Sequence, residues 1–287
     1  GSSAGTNLTT GFNNVIIGRV AGYATTDVDK AVIIGEQAAY TGNMTSAADG
    51  TISIGNNAGK NVTSAEASTF VGSGAGANVT TGDHNTAFGK SAGSNITTGG
   101  ETVTVGYLAG QYATGSNNTF VGSQAGQGGT TSAPYSSGPN NTAIGVEALT
   151  AFTSAEDNTA LGMYAGRALT TGNSNTLLGN GAGDTMTATA KTVLIGVNAG
   201  GAINSTDANG TVAVGYQAGA NITNGRYNTA LGHHALVSED DGDQNTAIGY
   251  LSLSSQTGTS GTVGNTAVGY NSGLNITTGN LNTMIGA

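Results

Sequence analysis

Cysteine and tryptophan are absent from this 287-residue chain, and proline occurs twice. Without cysteine there is no disulfide framework and no thiolate metal site. Charged residues make up 8% and aromatics 5%, whereas an ordinary domain is about a quarter charged. That scarcity speaks against an ordinary helical or α/β enzyme. Strong helix formers are few beside the 50 Gly, 44 Thr and 30 Asn, which disfavours long helices. No apolar run approaches the ~18 residues of a membrane span, and no signal-peptide pattern opens the chain. The net charge of −9 opposes nucleic-acid binding, which needs a basic surface. Composition alone leans toward disorder; internal repetition overrides it.

NTAFGKSAG (85–93), NTFVGSQAG (118–126), NTALGMYAG (158–166) and NTLLGNGAG (175–183) are copies of one motif. Its central glycine recurs from Gly1 to Gly286, and 11 of the 16 intervals are 17 residues. The longest insertion, between Gly122 and Gly145, holds Pro134, Pro139 and Tyr135. The residue before each glycine is Ile, Val, Leu or Phe, and the residue three before it is Thr, Val or Ile. Such a β-branched pattern signals a strand. The two columns share one strand face, and the pattern predicts that they point inward. Three residues after the glycine comes Ala, except at Ser252 and Ser272, which predicts a crowded corner. Seven after it an aliphatic residue recurs, as Leu8, Val62, Val79, Ile96, Leu169, Ile203, Ile222 and Ile276, often within a recurring N-[ILV]-T-T-G segment such as 95–99 and 275–279, predicting a second short strand and a glycine turn. Asn, four before the glycine in 10 of 16 copies, suits left-handed turns and an amide ladder between coils.

A unit this short cannot bury an apolar face alone, but stacked units can. The expected fold is therefore all-β: a parallel β-solenoid, or β-roll, with about 17 residues per coil. Residues 1–287 read as a single repeat domain of about sixteen coils and, since the repeat runs to both ends, as a fragment of a longer fibre. The column two before the glycine falls on the opposite strand face, and it too is apolar. It comprises Ile16, Ile33, Phe70, Ala87, Phe120, Ala143, Ala160, Leu177, Leu194, Ala213, Ala230, Ala247, Ala267 and Met284, interrupted by Ser53 and Thr104. On an isolated rod such a stripe would be an aggregation liability. It is therefore expected to meet partner chains, closed by rotational symmetry, with a capping segment as the alternative.

The stretch N-T-A-[IVLF]-G-x-x-A resembles the head repeats of YadA-like trimeric autotransporter adhesins. TTGDHNTAFGKSAG (80–93) and TTGNSNTLLGNGAG (170–183) are similar to the repeats of tail-fibre-domain proteins of phages, other viruses and bacteria. The resemblance spans the chain. It implies a left-handed β-roll, three chains per fibre, exposure on a cell or virion, and attachment rather than catalysis. The YadA-like repeat is shorter, and no coiled-coil stalk, membrane anchor or self-processing tail chaperone domain is evident.

Candidate chemistry is sparse. No G-x-S-x-G elbow, P-loop or H-E-x-x-H occurs, and the G-x-x-A-G strings are products of the repeat. His84, His233 and His234 fall in turns and read as solvent-exposed. Glu239, Asp240, Asp241, Gly242 and Asp243 form the densest acidic run. The run reads as surface charge on a solvated turn, with Asp240, Asp241 and Asp243 as weak Ca²⁺ candidates. No cofactor is expected. The tyrosines Tyr107, Tyr135, Tyr164, Tyr216, Tyr250 and Tyr270 sit in turns and the long insertion, and could present a receptor surface to a glycan or surface protein. The N-x-[ST] sequons, as at Asn78 and Asn221, read as turn chemistry.

These readings converge on a non-enzymatic structural and adhesive fibre segment of an extracellular appendage, homotrimeric, on a cell or virion surface. One alternative is a soluble ice-binding solenoid, which the inward placement of the Thr column weakens. The other is a tailspike segment that cleaves glycans, for which no convincing pair of carboxylates is present.

Overall fold

The computed structural model describes residues 1–130, 135–258 and 261–287. The long insertion's Pro134 lies outside the described residues. The protein is all-β, a parallel β-solenoid of about 17 residues per turn. The chain divides into two compact units, Gly1–Asn141 and Thr142–Ala287, where the repeat alone suggests one domain. In the first unit the strands are Val15–Ile17, Val32–Ile34, Ile52–Ile54, Thr69–Val71, Thr86–Phe88, Val103–Val105 and Thr119–Val121. In the second they are Thr142–Ile144, Thr159–Leu161, Thr176–Leu178, Val193–Ile195, Val212–Val214, Thr229–Leu231, Thr246–Ile248, Thr266–Val268 and Thr283–Ile285. Within each unit every strand pairs in parallel with the next. Repeat columns stay in register, as in Thr69↔Thr86, Phe70↔Ala87 and Val71↔Phe88.

The strand faces are the reverse of the expectation. The column two before the glycine points into its own coil. Ile33, Phe70, Phe120, Leu177, Leu194, Ala143, Ala160, Ala213, Ala230, Ala247 and Ala267 are fully buried, Ala87 nearly so, and Ile16 and Met284 partly. These fourteen side chains are the interior of single coils, not a surface that a partner chain covers. The columns one and three before the glycine face outward: Ile17 is 55% exposed, Phe88 57% and Leu231 44%.

The physical reason is space. A three-residue strand with its middle side chain inward contributes one residue to a narrow core. The alanine corner (Ala58, Ala75, Ala92) and the aliphatic residues seven after the glycine (Val62, Val79, Ile96) fill the rest, all buried. Inward volumes are balanced between neighbours. The Phe70 ring lies against Gly76, where a Cβ would overlap it, and a Cβ at Gly166 would come within 2.6 Å of Leu177 Cδ1. Where Leu149 replaces that glycine, the adjoining inward residues are Ala143 and Ala160, and all three are buried. Close packing requires such matching.

The N-[ILV]-T-T-G segments are turns, not second strands. Both threonine amides reach a single carbonyl of the next coil, Thr80 N and Thr81 N to Thr97 O at 2.9 and 3.3 Å. A shared acceptor bends the chain instead of extending it. Among the described residues the further strand pairing is one short ladder, Gly242–Asp243 with Gly261–Thr262, and a bridge between Ala113 and Ser136.

Two columns hold coil to coil. The asparagine four before the glycine is buried, and its Oδ1 accepts the amide of the equivalent residue in the next coil. Examples are Thr102 N to Asn85 at 3.0 Å and Asn245 N to Asn228 at 2.8 Å. Asn85 Nδ2 meanwhile donates to Gly82 O (2.9 Å) and Gly99 O (2.8 Å). The amides thus bond mainly to backbone, so the buried oxygen and nitrogen of an asparagine such as Asn85 both find partners. The central glycine explains itself by close approach. At Gly162 φ is +136°, and a Cβ would sit 2.5 Å from Gly179 O. Gly162→Ala is expected to lower stability by at least ~1–3 kcal/mol from the backbone conformation alone, read as a reduced urea midpoint. An unchanged midpoint would mean that the corner has room.

Candidate functional site

The acidic run does not form a metal site. Glu239 is fully buried, which corrects its reading as surface charge. It occupies the inward column seven after the glycine, where other coils place Val62, Leu169 or Ile222. Its Oε1 accepts the amides of Asp240 (3.0 Å), Gly242 (2.8 Å) and Gly258 (2.9 Å). Its Oε2 accepts Gln256 Nε2 (2.7 Å) and Asn245 Nδ2 (3.4 Å). Gln256 follows Glu239 in the same column one coil on, and its Oε1 accepts Asn265 Nδ2 at 2.9 Å. Five N–H donors surround the carboxylate, so the site repels a cation.

The other three acids turn elsewhere. Asp240 is exposed and accepts Asp241 N at 2.9 Å. Asp241 accepts Thr223 Oγ1 (3.0 Å) and Asn224 Nδ2 (2.7 Å). Asp243 accepts Arg226 N (2.8 Å), with Arg226 Nε 3.6 Å from its other oxygen. Thus Asp240, Asp241 and Asp243 do not converge, and no group of three or more His, Cys, Asp or Glu among the described residues is arranged to hold a metal. Asp29 and Asp83 likewise accept turn amides of the preceding coil, Phe12 N and Glu66 N, each at 2.9 Å.

Surface hollows are open and polar. One, about 520 Å³, is lined by Asp83, His84, Glu101 and Asn117 among others. A second, about 250 Å³, is lined by Asp207, Arg226, Asp241 and Asp243. In the second, Asp241 and Asp243 are already taken up by turn bonds.

The tyrosines separate into groups. Tyr107 lies under Lys90, 5.8 Å from Nζ to ring centroid, and Tyr164 under the Arg167 guanidinium at 4.7 Å. Tyr135 stacks on Tyr112 at 5.8 Å. Tyr216, Tyr250 and Tyr270 come together in one column of the second unit, with His233 completing the stack. Centroid distances are 5.1 Å for Tyr216–His233, 5.4 Å for His233–Tyr250 and 5.2 Å for Tyr250–Tyr270. His234 lies beside them, 4.2 Å from His233. Burial, and secondly the charge of His233, hold its pKa below the ordinary histidine value. Sequence reasoning left His233 and His234 as isolated turn residues. Aligning coils shows the signal that places them: each position after the glycine stacks on its equivalent.

The remaining surface feature is the outward strand face. Its two columns are Thr, Val or Ile three before the glycine, and Ile, Leu, Val or Phe one before it. Among these, Val15, Ile17, Phe88, Ile144, Leu161, Ile195 and Leu231 are exposed.

Two outcomes are expected. Glu239→Gln, isosteric, sets an amide donor among five donors and should cost on the order of 1–3 kcal/mol, measured by chemical unfolding; equal stability would mean that the carboxylate charge is dispensable. Because the His234 pKa is lowered on folding, its stabilising contribution is present above the ordinary histidine range and is lost as pH falls through the folded value. With the residue only part-buried the effect is small, and His234→Gln should flatten the slope of melting temperature between pH 7 and 5.

No protein-family model matches the chain, and no curated protein matches it with significance.

Proposed function

We propose that the chain is a non-enzymatic, structural segment of an extracellular attachment fibre, on a cell or virion surface, in which three copies associate along the outward strand face. The observation that carries this reading is that face itself. It repeats in register along each unit and sets large apolar side chains in the open. Contiguous exposed apolar surface of this kind marks an interaction site, and identical chains that pair along a repeating face close by rotation. Three copies rather than two follow from the resemblance of the repeat to trimeric adhesin heads and tail fibres. The non-enzymatic reading is supported by Glu239, Asp29 and Asp243, whose carboxylates are taken up by turn amides.

A second reading gains from the same observation. The Thr column lies outward, beside an apolar column, on a regular lattice. That removes the objection that it is buried and favours an ice-binding face.

Light scattering after gel filtration separates the two. The fibre reading expects a mass of three chains, and Ile195→Glu with Leu231→Glu should lower it. A monomer whose mass those charges leave unchanged, with thermal hysteresis at micromolar protein, would replace the fibre reading with the second.

A further inference from the structure

The column after the corner glycine in the second unit holds Tyr216, His233, Tyr250 and Tyr270 from four consecutive coils. Their rings stack at 5.1, 5.4 and 5.2 Å with interplanar angles of 22°, 25° and 8°. Each tyrosine is about half exposed and His233 is exposed. Because neighbours cover one another's faces, ring edges and hydroxyls are what the ridge offers. Among the described residues none of the three hydroxyls is bonded to the chain. The next position in the same coils holds Gln217, His234, Leu251 and Asn271, so the ridge carries no Lys, Arg, Asp or Glu. In that next position His234 Nε2 and Asn271 Oδ1 are buried and without a partner.

The spacing discriminates between ligands. Inserting a base between rings needs about twice the ~3.4 Å base rise, and these rings are already closed on one another. An extended peptide advances ~3.3 Å per residue, so same-side residues fall ~6.6 Å apart, out of step with the coils. Charged polymers find no counter-charge. An extended chain of equatorially linked pyranose sugars advances by about one coil spacing per sugar, and its hydroxyls need uncharged donors and acceptors. The positive edges of aromatic rings suit sugar oxygens.

We propose that this ridge binds a neutral, extended β-linked polysaccharide laid along the stack, one sugar per ring. The proposal deepens the attachment reading, but it concerns the ridge beyond the corner glycine rather than the strand face. Repeated weak contacts along one chain add up through effective concentration.

The test is calorimetric titration with linear β-1,4-linked glucose oligosaccharides of two to six units, with branched α-linked dextran as the control. Affinity should rise with length up to four units, matching the four stacked rings, and then level off, with no binding to dextran. Tyr250→Ala, in mid-stack, should weaken binding about tenfold or more while circular dichroism and oligomer mass stay unchanged. The triple variant Tyr216→Phe, Tyr250→Phe, Tyr270→Phe keeps the rings and should still weaken binding, through loss of the hydroxyls. Absence of binding at millimolar oligosaccharide, affinity independent of length, or wild-type affinity in both variants would overturn the proposal. Oligomer mass is read separately, so a failed trimer and a failed glycan site are told apart.

Discussion

Close approach of one coil's backbone to the next is the constraint from which the rest follows. Within each unit the place of a Cβ at the corner glycines is taken by the backbone of the following coil, as Gly179 O does at Gly162 and Gly106 O at Gly89. That spacing lets backbone amides bond between coils along strands and turns alike. It also leaves a thin interior. Each strand sends in one side chain, the corner admits little more than Ala, and one further position closes the core. Stability therefore rests on backbone bonds and buried asparagines as much as on apolar area, since unpaired polar groups inside would be costly.

The same stacking converts any chemical choice at a column into a ladder. Thr, Val and Ile three before the glycine become an outward stripe, and tyrosines after the glycine become a ring stack. Asparagines become a chain of staples. Glu239 with Gln256 shows how a column tolerates a departure. The carboxylate lies where an aliphatic side chain belongs, yet turn amides and two side-chain amides supply donors. Gly258 N, one of those donors, comes from the next coil, so the buried charge also ties that coil's turn in place.

Much of the architecture was legible in the residues. The recurrent glycine, the alanine three after it and the β-branched and apolar columns before it specify a short coil with one tight corner, because few other residues fit such a backbone. The inside and outside of the strand were not legible from those columns. A β-branched column beside an apolar one looks the same facing a core or facing partners. The informative signal was size compensation: Phe70 beside Gly59 and Gly76, Ala143 and Ala160 beside Leu149. Only a shared, closed interior imposes that balance. Likewise the acidic run looked like one cluster, although counting seven from Gly232 puts Glu239 in the inward column and Asp240 and Asp241 on the turn.

The sequence by itself determined the period, the corner chemistry and the all-β solenoid, because these depend on local backbone preference repeated at fixed spacing. Only the tertiary structure decided which strand face is enclosed, where the Glu239 carboxylate finds its donors, and that Tyr216, His233, Tyr250 and Tyr270 form one stack. Each of those depends on what the neighbouring coil places opposite, and that is set by packing between residues far apart in the chain.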